Sequence, residues 1–270
     1  EPGDVVTVFG REDLRQPVDS NDRFVRLEGE VRAPGLYRLL PGETARQLVK
    51  RLGGVTPNAY LFGAELTRAS ALGTQQKRLD ELLARLDVQM SFETVVASRN
   101  NTGEAGGKDE ADIRKNLLES LRKLPATGRV LLHLEPSIGS IEAFPDFPLE
   151  DGDRLYFPPV TKTINVVGAV LKEMPLSYQP GLGLSGYLDK LGGMTKEADT
   201  SAIYVQRADG SVWSRHQSFW PLSSVSIMPG DTIVVPYETD RTLWRKFLRD
   251  WAQIFYQFGI SVAAIHAVTK

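Results

Sequence analysis

The sequence predicts an α+β chain made of two copies of one small module, with helices inserted into the first copy and an amphipathic helix at the end. Three observations carry this. A stretch near the start matches a later one at a fixed offset, a Gly-Asp turn feeding a strand closes each copy, and the last thirty residues hold a helical apolar stripe.

Sliding residues 24–59 by 139 positions onto 163–198 needs no gap and gives nine identities in 36 columns. They are Gly29/Gly168, Val31/Val170, Pro41/Pro180, Gly42/Gly181, Leu52/Leu191, Gly53/Gly192, Gly54/Gly193, Thr56/Thr195 and Ala59/Ala198. Most are residues that special backbone geometry demands, which is where a shared fold shows first.

Within each copy an apolar strand (Phe24–Val31; Ile164–Val170) leads to a second short strand (Gly35–Leu39; Pro175–Tyr178). Pro-Gly makes the next turn, because proline presets φ and glycine supplies a positive one. A short helix follows, with Leu48, Val49 and Leu52, or Tyr187, Leu188 and Leu191, on its inner stripe. The Gly-Gly pair stops it. The closing marker is Gly152-Asp153 before Arg154–Pro158, and Gly230-Asp231 before Thr232–Pro236. Gly3-Asp4 looks like a third instance, so residues 1–20 read as the tail of a preceding module.

The marker lies 124 residues after Gly29 but 63 after Gly168, so the first copy carries an insertion, at about residues 68–127. Helical stretches are predicted there over Gln75–Leu86, with a stripe of Leu79, Leu82, Leu83 and Leu86, and over Glu110–Leu124. Ser98–Lys108 between them has the composition of a flexible linker. A strand over Val130–Leu134 resumes the module. The expected division is module one over 21–160, module two over 161–238 and a terminal helix over 239–270.

In that terminal segment Trp244, Leu248, Trp251, Phe255, Phe258, Val262 and Ile265 recur at steps of four and three. Arg245, Arg249, Gln253, Tyr256 and Gln257 fall on the opposite face. A helix from Leu243 to Val268 would be about 39 Å long, against a hydrocarbon core of about 30 Å. A lone helix with a polar face cannot cross lipid, but a ring of them can, with Gln253 and Gln257 toward a wet lumen. Alternatively the stripe packs on the chain's own modules.

Composition narrows the function. Net charge −2 supplies no basic field for nucleic acid, and a chain without cysteine has no disulfide, thiolate metal site or cysteine nucleophile. Gly181-Leu182-Gly183-Leu184-Ser185-Gly186 has the dinucleotide spacing but no βαβ context, and the other copy has Gly42-Glu43-Thr44-Ala45-Arg46-Gln47 there. Asp146, Glu150, Asp151 and Asp153 crowd one loop without Ca²⁺-loop spacing and read as a solvated acidic loop. His133, His216 and His266 are scattered, so no metal site is expected. Ser214-Arg215-His216 has no accompanying acid. No catalytic residue, cofactor or metal is therefore assigned. Trp213 and Trp220, with Phe219, are the aromatics that could stack on sugar rings, with core burial the competing reading.

Gly29-x-Val31-x-x-Pro34-Gly35-x-Tyr37, Pro41-Gly42-x-Thr44, Leu48-Val49 and Gly53-Gly54-x-Thr56-x-x-Ala59 together resemble the SLBB module, a β-grasp fold. The order module, module, terminal helix resembles the outer-membrane polysaccharide export family of the Wza type. The helical insert makes it similar to GfcC-type capsule accessory proteins as well. The resemblance implies tandem β-grasp (SLBB) modules in the periplasm and a homo-oligomeric ring in the outer membrane. It implies a capsular or exopolysaccharide as cargo and inner-membrane co-polymerase or export machinery as partner. The alternative it implies is a soluble periplasmic accessory protein that binds the exporter or the polysaccharide.

Overall fold

The computed structural model describes residues 22–99, 122, 126–214 and 225–237, the side chains of Leu86 and of residues 89–99 excepted. In module one, β1 (Phe24–Gly29) and β2 (Gly35–Arg38) form a hairpin, α1 (Ala45–Arg51) crosses the sheet, and a 3₁₀ turn (Leu61–Gly63) leads to β3 (Glu65–Thr67). The inserted α2 (Ala69–Arg99) follows, then β4 (Arg129–Val130) and β5 (Arg154–Phe157). Module two repeats this with β6 (Thr163–Gly168), β7 (Leu176–Ser177), α3 (Leu184–Lys190), β8 (Tyr204–Gln206), β9 (Val212–Ser214) and β10 (Thr232–Val235).

Both sheets have the same order, β2-β1-β5-β3-β4 and β7-β6-β10-β8-β9. The first and last strands of each module lie parallel at the centre, and the other pairs are antiparallel. These are tandem β-grasp modules. Alternation explains the inner faces: Val25, Leu27, Leu66, Leu155 and Phe157 are buried against Leu48 and Val49 of α1. Ile164, Val166, Val205, Ile233 and Val235 are buried against Tyr187 and Leu188 of α3.

The shared glycines have a steric cause. Gly29 and Gly168 sit at φ of 82° and 100°, and a Cβ there would run into the carbonyl oxygens of Phe157 and Val235. The parallel central strands come that close only without a side chain.

The insertion differs from the periodicity in two ways. α2 starts six residues before Gln75 and continues through Ser98 and Arg99, which the composition had assigned to the linker. In the sequence of its second half the apolar spacing shifts to Val88, Phe92 and Val95, out of phase with the Leu79–Leu86 stripe, and there is neither proline nor glycine to stop the helix. Leu79 and Leu83 are buried as expected. The strand predicted over Val130–Leu134 shrinks to Arg129–Val130, because His133 adopts φ 49°, which no strand accommodates. Gln75 and Gln76 fasten the returning chain. Gln75 donates to the Arg129 carbonyl and accepts from Gly128 N–H (both 2.9 Å), and Gln76 accepts from Ala126 N–H (3.1 Å). Arg122 pairs with Asp87 of α2 at 3.0 Å.

Candidate functional site

Each module buries one aspartate at the foot of its last strand. In module one, Arg68, the residue after β3, donates Nε to Asp153 Oδ1 (3.0 Å) and Nη2 to Asp153 Oδ2 (2.8 Å). Arg68 also reaches the Pro148 carbonyl and Glu150, while Glu150 N–H donates to Asp153 Oδ2 at 2.8 Å. In module two, Arg207 after β8 donates Nη1 to Asp231 Oδ2 (2.9 Å) and to the Ser226 carbonyl (2.7 Å), and Met228 N–H donates to Asp231 Oδ2 at 2.8 Å. Both aspartates are completely buried. The acidic loop is therefore not wholly solvated: Asp146, Glu150 and Asp151 are exposed, but Asp153 is a buried anchor for the turn. Burial pushes the Asp231 carboxyl up to about 6, against the pull of Arg207 and the Met228 N–H.

The modules meet near the second of these anchors. Tyr60 donates its hydroxyl to the Pro229 carbonyl (2.9 Å), and Arg129 donates to the Ala208 carbonyl (3.0 Å) while pairing with Glu65 (3.1 Å). Ala208 and Met228 of module two pack on the core of module one. Burial, reinforced by the charge of Asp231, holds the Tyr60 phenol far above its ordinary range.

The residues singled out in the sequence fall apart in space or outside the described region. Trp213 lies on β9, half-buried and packed against the second core, which limits the ring face it can offer a sugar. Trp220, Trp244, Leu248, Trp251, Gln253, Phe255, Gln257, Phe258, Val262 and Ile265 lie outside the described residues, as do His216 and His266. His133 is exposed. Of Gly181–Gly186, the first three residues form the turn into α3 after the two-residue edge strand β7, and the last three are the first residues of that seven-residue helix, which has no side-chain cap. That is the module's own turn. Among the described residues, no group of three or more His, Asp or Glu side chains could hold a metal ion, and no helix is long and apolar enough to cross a membrane.

Sequence reasoning missed the Arg68–Asp153 and Arg207–Asp231 pairs. The signal was present: continuing the 139-residue offset nine positions past Ala59 brings Arg68 onto Arg207.

A tandem of β-grasp modules with a helical insertion in the first defines a module-built protein, and the family comparisons fall on both modules. Residues 24–78 match the SLBB domain, and residues 172–253 match the family described as capsule biosynthesis GfcC C-terminal. The first of these matches lies within module one, and the second runs from module two past the last described residue. It is similar to two forms of the polysialic acid transport protein KpsD of Escherichia coli, each 27% identical over 257 residues. Those alignments cover 91% of this chain and 42% of each relative, so the chain spans less than half the length of the curated proteins it matches. None of these descriptions names an enzymatic activity.

Proposed function

We propose that the chain is a non-catalytic subunit of an outer-membrane channel that exports a capsular or exopolysaccharide. In this reading the β-grasp modules stand in the periplasm and copies assemble side by side into a ring. Head-to-tail contacts between such modules close into a ring when the rotation permits. Trp244, Leu248, Trp251, Phe255, Phe258, Val262 and Ile265 face lipid or neighbouring helices, and Gln253 and Gln257 face the lumen. The polysaccharide and inner-membrane export machinery are the partners. The observation that carries the reading is the extent of the similarity: likeness to a polysialic acid transport protein runs across 91% of the chain, not through one module.

A periplasmic accessory protein is the second reading, favoured by the GfcC match running from module two into the terminal segment as far as residue 253. Phe255→Asp separates the two. On a helix crossing hydrocarbon the charge costs about 3 kcal/mol, so the variant leaves the membrane fraction while the modules keep their melting temperature. Gln257→Asp, at a hydrated position, stays in the membrane fraction. Unchanged partitioning with a lowered melting temperature for Phe255→Asp rejects the channel in favour of the accessory protein.

A further inference from the structure

All the large apolar side chains that module two exposes, among its described residues, lie at one tip. They are Leu171 (60% exposed), Met174 (48%), Met194 (37%) and Tyr237 (53%). The tip is one connected surface. Leu171 N–H donates to the Gly193 carbonyl, and the Leu171 side chain lies over Gly192. Val170 bridges to Met194, and the Tyr237 hydroxyl donates to the Gly168 carbonyl at 3.4 Å. The one acid inside the loop, Glu173, is turned back to accept the Gly168 N–H at 2.7 Å. Lys172 stays exposed beside it, and the rim carries Lys196 and Glu197.

Module one is built differently at the same place. Under the 139-residue offset Leu171 corresponds to Arg32 and Met194 to Val55, and Arg32 N–H makes the matching bond to Gly54. The exposed apolar residues of its sheet, Phe24 and Leu36, are interleaved with Arg26 and Arg38. Position in the chain explains the contrast. Because the first and last strands run parallel, each module hands the chain on at the end that carries this tip. From module one it passes at Phe157 and Pro158 into module two, where Tyr60 meets Pro229. From module two it passes at Val235 and Tyr237 into residues 238–270, the segment with the amphipathic stripe.

We infer that the tip formed by Leu171, Met174, Met194 and Tyr237 rests on the lipid surface that the terminal segment enters. The inference relies on the channel reading for the direction of that segment. Amphipathic aromatics and long apolar side chains beside a lysine suit the headgroup layer of an anionic bilayer. The tip therefore fixes the height and tilt of the module on the membrane.

The absence of native cysteine makes the test direct. Leu171→Cys, Met194→Cys, Arg32→Cys and Phe255→Cys are each made in the full chain and labelled with an environment-sensitive dye. The labelled chains are mixed with phosphatidylethanolamine–phosphatidylglycerol vesicles containing lipids spin-labelled near the headgroup or along the acyl chain. The expected result is a blue shift and headgroup-level quenching at 171 and 194, acyl-level quenching at 255 and no change at 32. Quenching at 255 without any at 171 and 194 overturns the tip inference and leaves the channel reading standing. Quenching at 171 and 194 without any at 255 supports the tip and defeats the spanning helix. No quenching at 171, 194 or 255 defeats both. A blue shift at 171 and 194 that grows with protein concentration in the absence of vesicles assigns the patch to a second copy and overturns the lipid contact.

Discussion

Module one grips its buried aspartate with both arms of Arg68, whereas module two grips the equivalent one through a single nitrogen of Arg207. Asp231 Oδ1 is left with no hydrogen-bond partner among the described residues. The same asymmetry recurs at the helices. Thr44 and Gln47 make a reciprocal capping box on α1, while α3 begins at Gly183 with no side-chain cap and contains Gly186. Glu43, buried beside α1, is held by Arg51 (2.6 and 2.9 Å) and the Leu40 N–H, and the corresponding residues of module two are Leu182 and Lys190. Two sequences with the same strand order thus differ mainly in their polar fastenings. Apolar alternation and a few glycines specify the topology, and the polar pairs then set how tightly each copy holds it.

Where the copies agree, the effect of substitution is expected to be largest and equal. Gly29→Ala and Gly168→Ala each place a Cβ against a carbonyl of the last strand at a positive φ, and each should cost more than about 3 kcal/mol. Hydrogen exchange read separately on peptides of each module should show collapse of the module carrying the change. A mild effect at one site and a severe one at the other would mean that the copies do not share this constraint.

Where they differ, the effect should be unequal. Asp153→Asn removes the charge that two guanidinium bonds satisfy, and breaking such a buried pair costs about 3–5 kcal/mol. Asp231→Asn removes a carboxylate with one oxygen already unmet, so its cost in urea denaturation at neutral pH should be well under half of that. Equal losses would show that the missing bond in module two has no energetic consequence.

Acid should pull the modules in opposite directions. Asp231 has a folded-state pKa of about 6 against an ordinary 3.8, so the folded module binds the extra proton first. The associated stability is fully present below about 3.8 and is lost as pH rises through about 6, a change on the order of 3 kcal/mol. Glu43 goes the other way. Burial would raise its pKa, but the bonds from Arg51 and the Leu40 N–H outweigh that and lower it below 4.5, so its contribution is present above 4.5 and is lost as pH falls through the depressed value. Exchange protection measured from pH 7 to 4 should rise in module two relative to module one, and Asp231→Asn should abolish the rise.

The smallest effects are at the caps. Thr44→Ala should cost about 1 kcal/mol, whereas Gly183→Ser should gain only a few tenths of a kcal/mol, since glycine is itself a tolerable cap. Melting curves of the two variants, compared with the parent, check the sign at each helix.

The topology was readable because its constraints fall on residues with few substitutes. A position at φ 100° beneath a carbonyl admits only glycine, so Gly29 and Gly168 persist in both copies. Asp153 was misread because an aspartate among acidic neighbours resembles a solvated one, and only its partner, 85 residues earlier across the insertion, makes it a core residue. The extent of α2 was hidden for a different reason. The apolar spacing of its far half, Val88, Phe92 and Val95, is out of phase with the stripe of the first half, so the periodicity read from Gln75 breaks at Leu86 although nothing stops the helix there. His133 broke an expected strand through backbone conformation, which side-chain polarity does not report.

The parallel pairing of first and last strands also has a mechanical meaning. A pull on the chain ends draws β1 and β5 past each other along their length, and β6 and β10 likewise. The bonds from Arg26 N–H to the Asp153 carbonyl (2.8 Å) and from Glu30 N–H to the Phe157 carbonyl (2.7 Å) are then strained together instead of opening one by one. Tension transmitted through the tandem meets a shear clamp in each module, and single-molecule extension should register two rupture events at forces well above those of a hairpin peeled from its end.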